Sequence, residues 1–354
     1  MNIHIQKSIF DAFCSDADRK NMHNMLFHVG ERDYSVTMDS KLDLADFDKI
    51  DNEEDRMQLR ELISSSINAS SAHNNPYNCT MASNGCGELV SRKFSLDEIN
   101  EYIGGPAVII LENGTNDGHF IRAIEKWFEK EIDFEKLLSE YKVLIDNGGG
   151  NGGVIGRINY WLSIHRNIPK FLRCLVIVDS DKRFPLDNSN VESQEKDNAF
   201  VISKGCLYYV LKKRALENYM PNEVFAKNKT VFGEDWVNAY LHLTEKQKDY
   251  YYTAMGFKKD IPGRKTLPDS QLTFDMLQDQ RIKDLFCDIS TANFNYLLNA
   301  PNIPGDGSFK SKFPAFFTTS PYVNKDSLKN RVAYDRAQNP NELEHISSLI
   351  RQIL

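Results

Sequence analysis

Three short, nearly continuous apolar runs constrain this chain more than any other feature: PAVIIL at 106–111, YKVLI at 141–145 and FLRCLVIV at 171–178. A strand with one wet face alternates apolar and polar residues. A run without alternation is buried on both faces, as in the parallel sheet of an α/β protein. Helical patterns separate the runs. Over 117–130, Phe120, Ile121, Ile124, Trp127 and Phe128 share one face, and after the glycine cluster DNGGGNGG (146–153) so do Val154, Ile158, Trp161 and Leu162. Strand, helix, strand, helix, strand predicts a parallel, Rossmann-like sheet with right-handed crossovers.

The flanks read differently. Residues 64–87 are polar and turn-rich and read as a linker or mobile loop, after which Ser95-Leu-Asp-Glu98 has the form of a capping box. Beyond about 230 the pattern is mainly helical, notably near 234–256 and 271–298, while 300–327 is rich in Pro, Gly and Phe and reads as irregular. The last helix is expected to start with Asn339 as cap and Pro340 in the first turn, with Leu343, Ile346, Leu349, Ile350 and Ile353 as its apolar stripe. The expected division is an N-terminal unit of unknown role (1–95), an α/β metal-binding domain (96–229) and a helical C-terminal region (230–354).

At 354 residues the chain is long enough for two or three packed units. No apolar run approaches the roughly 18–20 residues of a membrane helix, and the N-terminus has no signal-peptide pattern, so a cytosolic protein is expected. Six cysteines are scattered without a framework and read as free thiols; Cys79, Cys86 and nearby His73 match no common zinc spacing. The net charge of −7 disfavours nucleic-acid binding over the whole surface, but Lys and Arg cluster at 204–214 and 258–265, and a local basic track on an acidic protein suits a nuclease.

Three acids sit where strands end: Glu112 after the first run, Asp179 after the third, and Asp181 two residues on. The carboxyl ends of parallel strands form the edge where α/β proteins bind ligands. Extended chain would put Asp179 and Asp181 on one side. Three converging carboxylates repel, and a hard divalent cation, Mg2+ or Mn2+, neutralises them. The bland alternative is that an Asp-x-Asp after a strand caps a turn or meets solvent. The glycines of 146–153 would let a ligand approach the backbone, with Gly148, Gly149 and Gly150 as substrate contacts, or would serve only as a strand-to-helix turn.

ILENGTND (110–117), the glycine turn at 148–150, IVDSD (177–181) and LKKRALENYM (211–220) occur in that order. Together they resemble the Toprim domain of the OLD (overcoming lysogenization defect) nucleases, especially their stand-alone relatives in phage defence, over about residues 105–222. The resemblance implies a magnesium-dependent nuclease, an antiviral toxin effector acting on DNA or transfer RNA. It implies Glu112 as metal ligand or general acid/base, Asp179 and Asp181 as metal ligands, and Asp117 and Glu217 as further acids of the site. Lys212, Lys213 and Arg214 would meet the substrate, with Lys213, four residues before Glu217 on one helix, offsetting charge on the scissile phosphate. Two departures stand out. Asn113 rather than Gly follows Glu112, with Gly114 one place later, and Asp117 lies five residues after Glu112 rather than four. For Asp117 the alternative is an acid at a helix N-terminus, for Glu217 a surface glutamate, for 212–214 a solvated charged face, and for His119 a first-turn surface residue.

No G-x-x-x-x-G-K-[ST] loop is present, so an ATP-hydrolysing P-loop partner would act in trans, with a homodimer also open. Competing readings are a nucleotide-sugar transferase, which leaves Glu112 and Glu217 without a role, and a haloacid-dehalogenase-like phosphatase, which fits poorly with Lys182 and Arg183 after the acids. A non-catalytic binding or sensing subunit is the third.

Overall fold

The computed structural model describes residues 1–354 except 14, 33, 40, 41, 43, 67–78, 84–91, 150–152, 165–171, 302, 304–308 and 333–340. It is an α/β structure with two four-stranded, all-parallel sheets. The first sheet comprises β1 (Asn2–Ile5), β2 (Ser35–Met38), β3 (Cys79–Met81) and β4 (Lys93–Phe94), in the order β2-β1-β3-β4. The second comprises β5 (Ala107–Leu111), β6 (Val143–Asn147), β7 (Cys174–Val178) and β8 (Leu207–Val210), in the order β6-β5-β7-β8.

The three apolar runs fall on β5, β6 and β7; every residue of β5 and β7 is buried, whereas β6, at the sheet edge, buries only Val143 and is not the doubly covered strand expected of 141–145. Their side chains divide by strand period. Ala107, Ile109, Leu111, Leu175 and Ile177 join one large core, whereas Val108, Ile110, Cys174, Val176 and Val178 join a second. On the first face lie Phe120, Ile121 and Ile124 of the helix Gly114–Phe128 and the stripe of the last helix, Glu342–Ile353. On the second lie Val154, Ile158 and Leu162 of the helix Gly153–Ile164, with Val201 of the helix Val191–Ser203. The chain steps from β5 to β6 in one direction and then reverses across β5 to β7 and β8. The connecting helices change face at that reversal, as a constant crossover hand requires. Burial of each large aliphatic side chain contributes about 1.5–3 kcal/mol, which is why these strands tolerate no polar residue.

The N-terminal unit corrects the expectation for its last segment. Residues 79–81, inside the supposed linker, form β3, paired on both sides with β1 and β4. Ser95 does make a capping box: it accepts the Glu98 N–H at 3.4 Å and its own N–H donates to the Glu98 carboxylate at 2.8 Å. Arg173, at the foot of β7 and 2% exposed, donates to the Tyr34 hydroxyl, to the carbonyls of Ile103 and Gly105, and to those of Ile353 and Leu354. One side chain thus ties together the first sheet's helices, the second sheet and the C-terminal helix.

After 230 the chain is helical in short pieces, among them Glu234–His242, Glu245–Tyr250, Gln280–Leu285 and Thr291–Tyr296. The 300–327 segment is more regular than expected, with helices at Phe309–Lys312 and Phe316–Thr319 and another starting at Lys325. The last helix is capped by Asn341, whose side chain accepts the Glu344 N–H at 3.0 Å; residues 339 and 340 lie outside the described residues. No helix among the described residues is long and apolar enough to cross a membrane.

Candidate functional site

The order β6-β5-β7-β8 makes the gap between the carboxyl ends of β5 and β7 the point where connections leave in opposite directions. Open α/β sheets bind ligands in such crevices. Glu112 is the first residue after β5 and Asp179 the first after β7, so both flank this crevice. After Glu112 the chain turns at once into the helix Gly114–Phe128. Asn113 caps it, accepting the Asn116 N–H at 3.3 Å, while the Asp117 carboxylate accepts the Asn113 N–H at 2.8 Å. This turn accounts for the displaced glycine: a Cβ on Gly114 would lie 2.7 Å from the Asp146 carbonyl carbon at the end of β6.

Asp179 and Asp181 are not held by extended chain. β7 stops at Val178, and Asp181 has φ +53°, a left-handed conformation. Between them Ser180 is buried and donates to the Lys213 carbonyl at 2.7 Å. The Asp181 N–H donates to the Arg214 carbonyl at 2.8 Å, and the Asp179 carboxylate accepts the Leu216 N–H at 3.1 Å. The acidic loop and the segment 213–216 are therefore bonded to each other at three points, which brings Glu217, buried in the 3-10 turn Leu216–Tyr219, to the same edge.

The electrostatics show how the five acids share one environment. Burial, then the Asp181 charge, raises the Glu112 carboxyl above its ordinary range, with the Asp179 backbone acting against them. Burial pushes Asp117 up to about 7, helped by Glu217 and Glu112 and opposed by the Asn113 N–H. Asp179 is driven well upward by burial and then by Glu112, Glu217, Asp117 and Asp181. Glu217 rises through burial and then Asp181. Desolvation leads in every case, and like-charge repulsion adds to it. Glu112 also keeps a buried carboxylate oxygen, Oε1, without a hydrogen-bond partner among the described residues. A cation fits that orphaned oxygen and the crowded donors. Against this, no three His, Cys, Asp or Glu residues among the described ones already stand in an arrangement that would hold a metal ion.

The basic residues expected here are used elsewhere. Residues 211–220 are not one helix but a strap that ends in the 3-10 turn, so Lys213 and Glu217 do not share a helical face. The Lys213 side chain is fully buried; its ammonium pairs with Asp249 and donates to the Arg331 carbonyl at 3.1 Å. Arg214 pairs with Asp260 at 3.2 Å and is also buried. Lys212 is half-buried, and its N–H donates to Glu342 at 2.8 Å. The run is neither a solvated face nor, for Lys213 and Arg214, a surface open to substrate. The glycines are likewise occupied. The Gly148 N–H donates to the Leu111 carbonyl at 2.6 Å and that of Gly149, at φ +75°, to the Asn147 side chain at 2.9 Å, so neither amide is spare for a ligand. Gly150 lies outside the described residues. His119 bonds the Thr318 hydroxyl at 2.7 Å. Of the zinc candidates, Cys79 is a buried free thiol in β3 and residues 73 and 86 lie outside the described ones.

The cation that faces the acids is Lys310, from the short helix Phe309–Lys312. Its backbone carbonyl accepts from the Asn116 side chain at 3.1 Å, which fixes this helix beside Glu112 and Asp117. Its charge acts on Glu112, Asp117 and Glu217. Burial works against the Lys310 charge, but the Tyr252 hydroxyl and the charges of Glu217 and Asp179 outweigh it and hold the ammonium above its ordinary range. Nothing in the local sequence marks Lys310, which reaches the site through tertiary packing alone. Comparison with family models, with curated proteins and with solved structures finds no match.

Proposed function

We propose that this chain is a Toprim-type, divalent-metal-dependent nuclease whose site is the acid cluster at the carboxyl edge of the second sheet. The observation that carries the reading is the burial and mutual repulsion of Glu112, Asp117, Asp179, Asp181 and Glu217 around one crevice, beside Lys310. Acids held together at such cost to their charged forms suit a cation. Glu112, Asp179 and Asp181 would hold Mg2+ or Mn2+, with Asp117 and Glu217 at the rim. The bound ion would supply an activated water and offset charge on the phosphodiester.

The chain's own groups do the rest. Asp179, anchored by the Leu216 N–H, and Asp181, anchored through its backbone N–H, would offer their carboxylates to the ion from one loop. Asp117, whose carboxylate accepts the Asn113 N–H, would hold the turn that carries Glu112. Lys310 takes the role first assigned to Lys213, offsetting charge on the phosphate. From the resemblance come the remaining parts of the proposal: DNA or transfer RNA as substrate, a cytoplasmic antiviral effector, and control by a partner ATPase.

The test is incubation with DNA, transfer RNA and sugar nucleotides in Mg2+, Mn2+ or EDTA. The expected result is metal-dependent cleavage of nucleic acid that falls by roughly 100-fold or more in Glu112→Gln. Cleavage that persists in EDTA, or turnover of sugar nucleotides alone, would overturn the reading. A second reading, a non-catalytic subunit of the same fold class, is favoured by the lack of a ready-made three-donor group among the described residues. It predicts nucleic-acid binding without cleavage in any metal.

A further inference from the structure

Beside the acid cluster lies a cleft of about 480 Å³ lined by Arg183, Lys259, Arg264, Gln278 and Gln280, with Asp260 and Asp279 in its wall. We infer that this cleft is a phosphate-binding subsite for a nucleic-acid strand whose reacting bond sits at the acid cluster, an inference that rests on the nuclease reading.

Its volume is in the range of built small-molecule sites. Its two acids are already neutralised: Asp260 by Arg214 at 3.2 Å, and Asp279 by Arg281 at 2.9 Å. Arg183 is itself held by Asp187 at 3.0 Å and lies 3.7 Å from Asp279, so the excess of positive charge in the lining comes from Lys259 and Arg264. The Lys259 ammonium rests on the Tyr252 ring, 4.3 Å from its centroid, and pairs with no carboxylate among the described residues. The Arg264 guanidinium donates to the Lys259 carbonyl at 3.2 Å, which orders the two cations together.

Two links join the cleft to the acids. Arg183 stands two residues after Asp181 in the same loop. The Tyr252 ring is shared, because Lys310, which faces Glu217 and Asp179, lies 5.5 Å from the same centroid. The two ammonium groups are thus at most about 10 Å apart, close enough for one bound strand to meet both. Of the basic run at 258–265, Lys258 is taken up by Asp269, while Lys259 and Arg264 line the cleft. An acidic chain would in this way track a phosphate backbone along a local cationic path.

The test uses Glu112→Gln to silence cleavage, with fluorescein-labelled single-stranded DNA and RNA of roughly 16 nucleotides as probes. Lys259→Ala/Arg264→Ala in that background should weaken binding about 10-fold near 0.1 M salt. It should also flatten the log–log salt slope by about 1.4, since two strand phosphates lose their partners. Lys259→Arg/Arg264→Lys should retain both, and thermal melts check that each variant is folded. Unchanged affinity and slope, failure of both probes to bind, or equal binding of a polyglutamate of matched charge would each overturn the subsite. Cleavage by the otherwise unsubstituted chain separates the two ideas. If Lys259→Ala/Arg264→Ala leaves KM and turnover intact, the subsite falls and the nuclease reading stands. If strand binding needs both residues but no metal supports cleavage, the subsite stands and hydrolysis falls.

Discussion

Lys213 and Lys310 exchange the roles that residue type alone would give them. Lys213 belongs to the motif-like segment, yet its ammonium is sealed in a buried cluster with Asp249 and Arg331. Burial lowers its pKa to about 8, with the Arg331 charge adding to the effect and Asp249 opposing it. Lys213→Ala would leave Asp249 with Arg331 alone and open a void, so the expected loss is roughly 2–4 kcal/mol of stability. Turnover per folded molecule should hardly change. Lys310→Ala should do the reverse: the residue is exposed by area although its ammonium is partly desolvated beside Tyr252, so losing the charge that offsets the acids should cost the metal-free chain only about 0–1 kcal/mol, with turnover down by roughly 100-fold. Denaturant unfolding and cleavage rates on the same samples check both. A stable Lys213→Ala protein with lost turnover would return the catalytic role to Lys213.

At the scale of elements, the strap 211–220 decides whether the acids meet. Tyr219 is its pin. The hydroxyl donates to Glu342 at 2.6 Å and accepts the N–H groups of Lys212 and Lys213 at 3.1 and 3.2 Å, all in the buried interior. Asn218 adds two bonds to the Lys248 and Tyr251 carbonyls. Tyr219→Phe removes all three bonds to the hydroxyl, while the Lys212 N–H and Glu342 keep the one to each other at 2.8 Å, an expected cost of about 1–3 kcal/mol. Because Leu216 and Glu217 lie on the same strap, metal-supported turnover should fall as well, more than that of a control destabilised equally at Leu343. Equal falls in the two variants would reduce the strap to scaffold.

The same scale explains what could be read in advance. β5 and β7 were visible because both of their faces are buried, which forces apolar runs. The acids after them were visible because a parallel sheet aims its carboxyl ends at one edge. The first sheet was not visible: its strands are two to four residues long, too short to show a period, and β3 sits within polar neighbours. Glu217 was named, but from a supposed helix; a 3-10 turn pinned by residues 248, 251 and 342 holds it. Lys310 and the cleft at Lys259 were beyond reach, since they come to the site from the C-terminal region through packing that no local pattern encodes.

For the whole molecule, one apolar core runs from Ile3 to Ile353, so N-terminal unit, sheet and C-terminal helices share their stability. Charge stored at the sheet edge should then appear in global unfolding. Asp117 and Glu125 are both pushed upward by burial, to about 7 and about 8, and Glu112, Asp179 and Glu217 move the same way. Below about pH 4 such carboxyls are protonated in both folded and unfolded chains and have no effect. From there up to the folded values the folded state binds more protons, so stability falls as pH rises, and for Asp117 and Glu125 the full cost is present above about 8. The acids should therefore make metal-free protein melt at a higher temperature at pH 5 than at pH 8, against the smaller opposite pull of His28, His119 and His345, whose values burial lowers. Asp179→Asn should raise the pH 8 midpoint and flatten the slope. A divalent ion that binds only the folded site adds about 2.7 kcal/mol at one hundred times its Kd. Mg2+ or Mn2+ should thus raise the midpoint at pH 8, raise it less at pH 5 where protons occupy the same oxygens, and do neither in Asp179→Asn. Thermal melts in EDTA and in each metal at both pH values measure all three effects. A midpoint that climbs from pH 5 to pH 8 in EDTA, or a metal shift that survives in Asp179→Asn, would mean that the acids at the sheet edge are not the groups that set this balance.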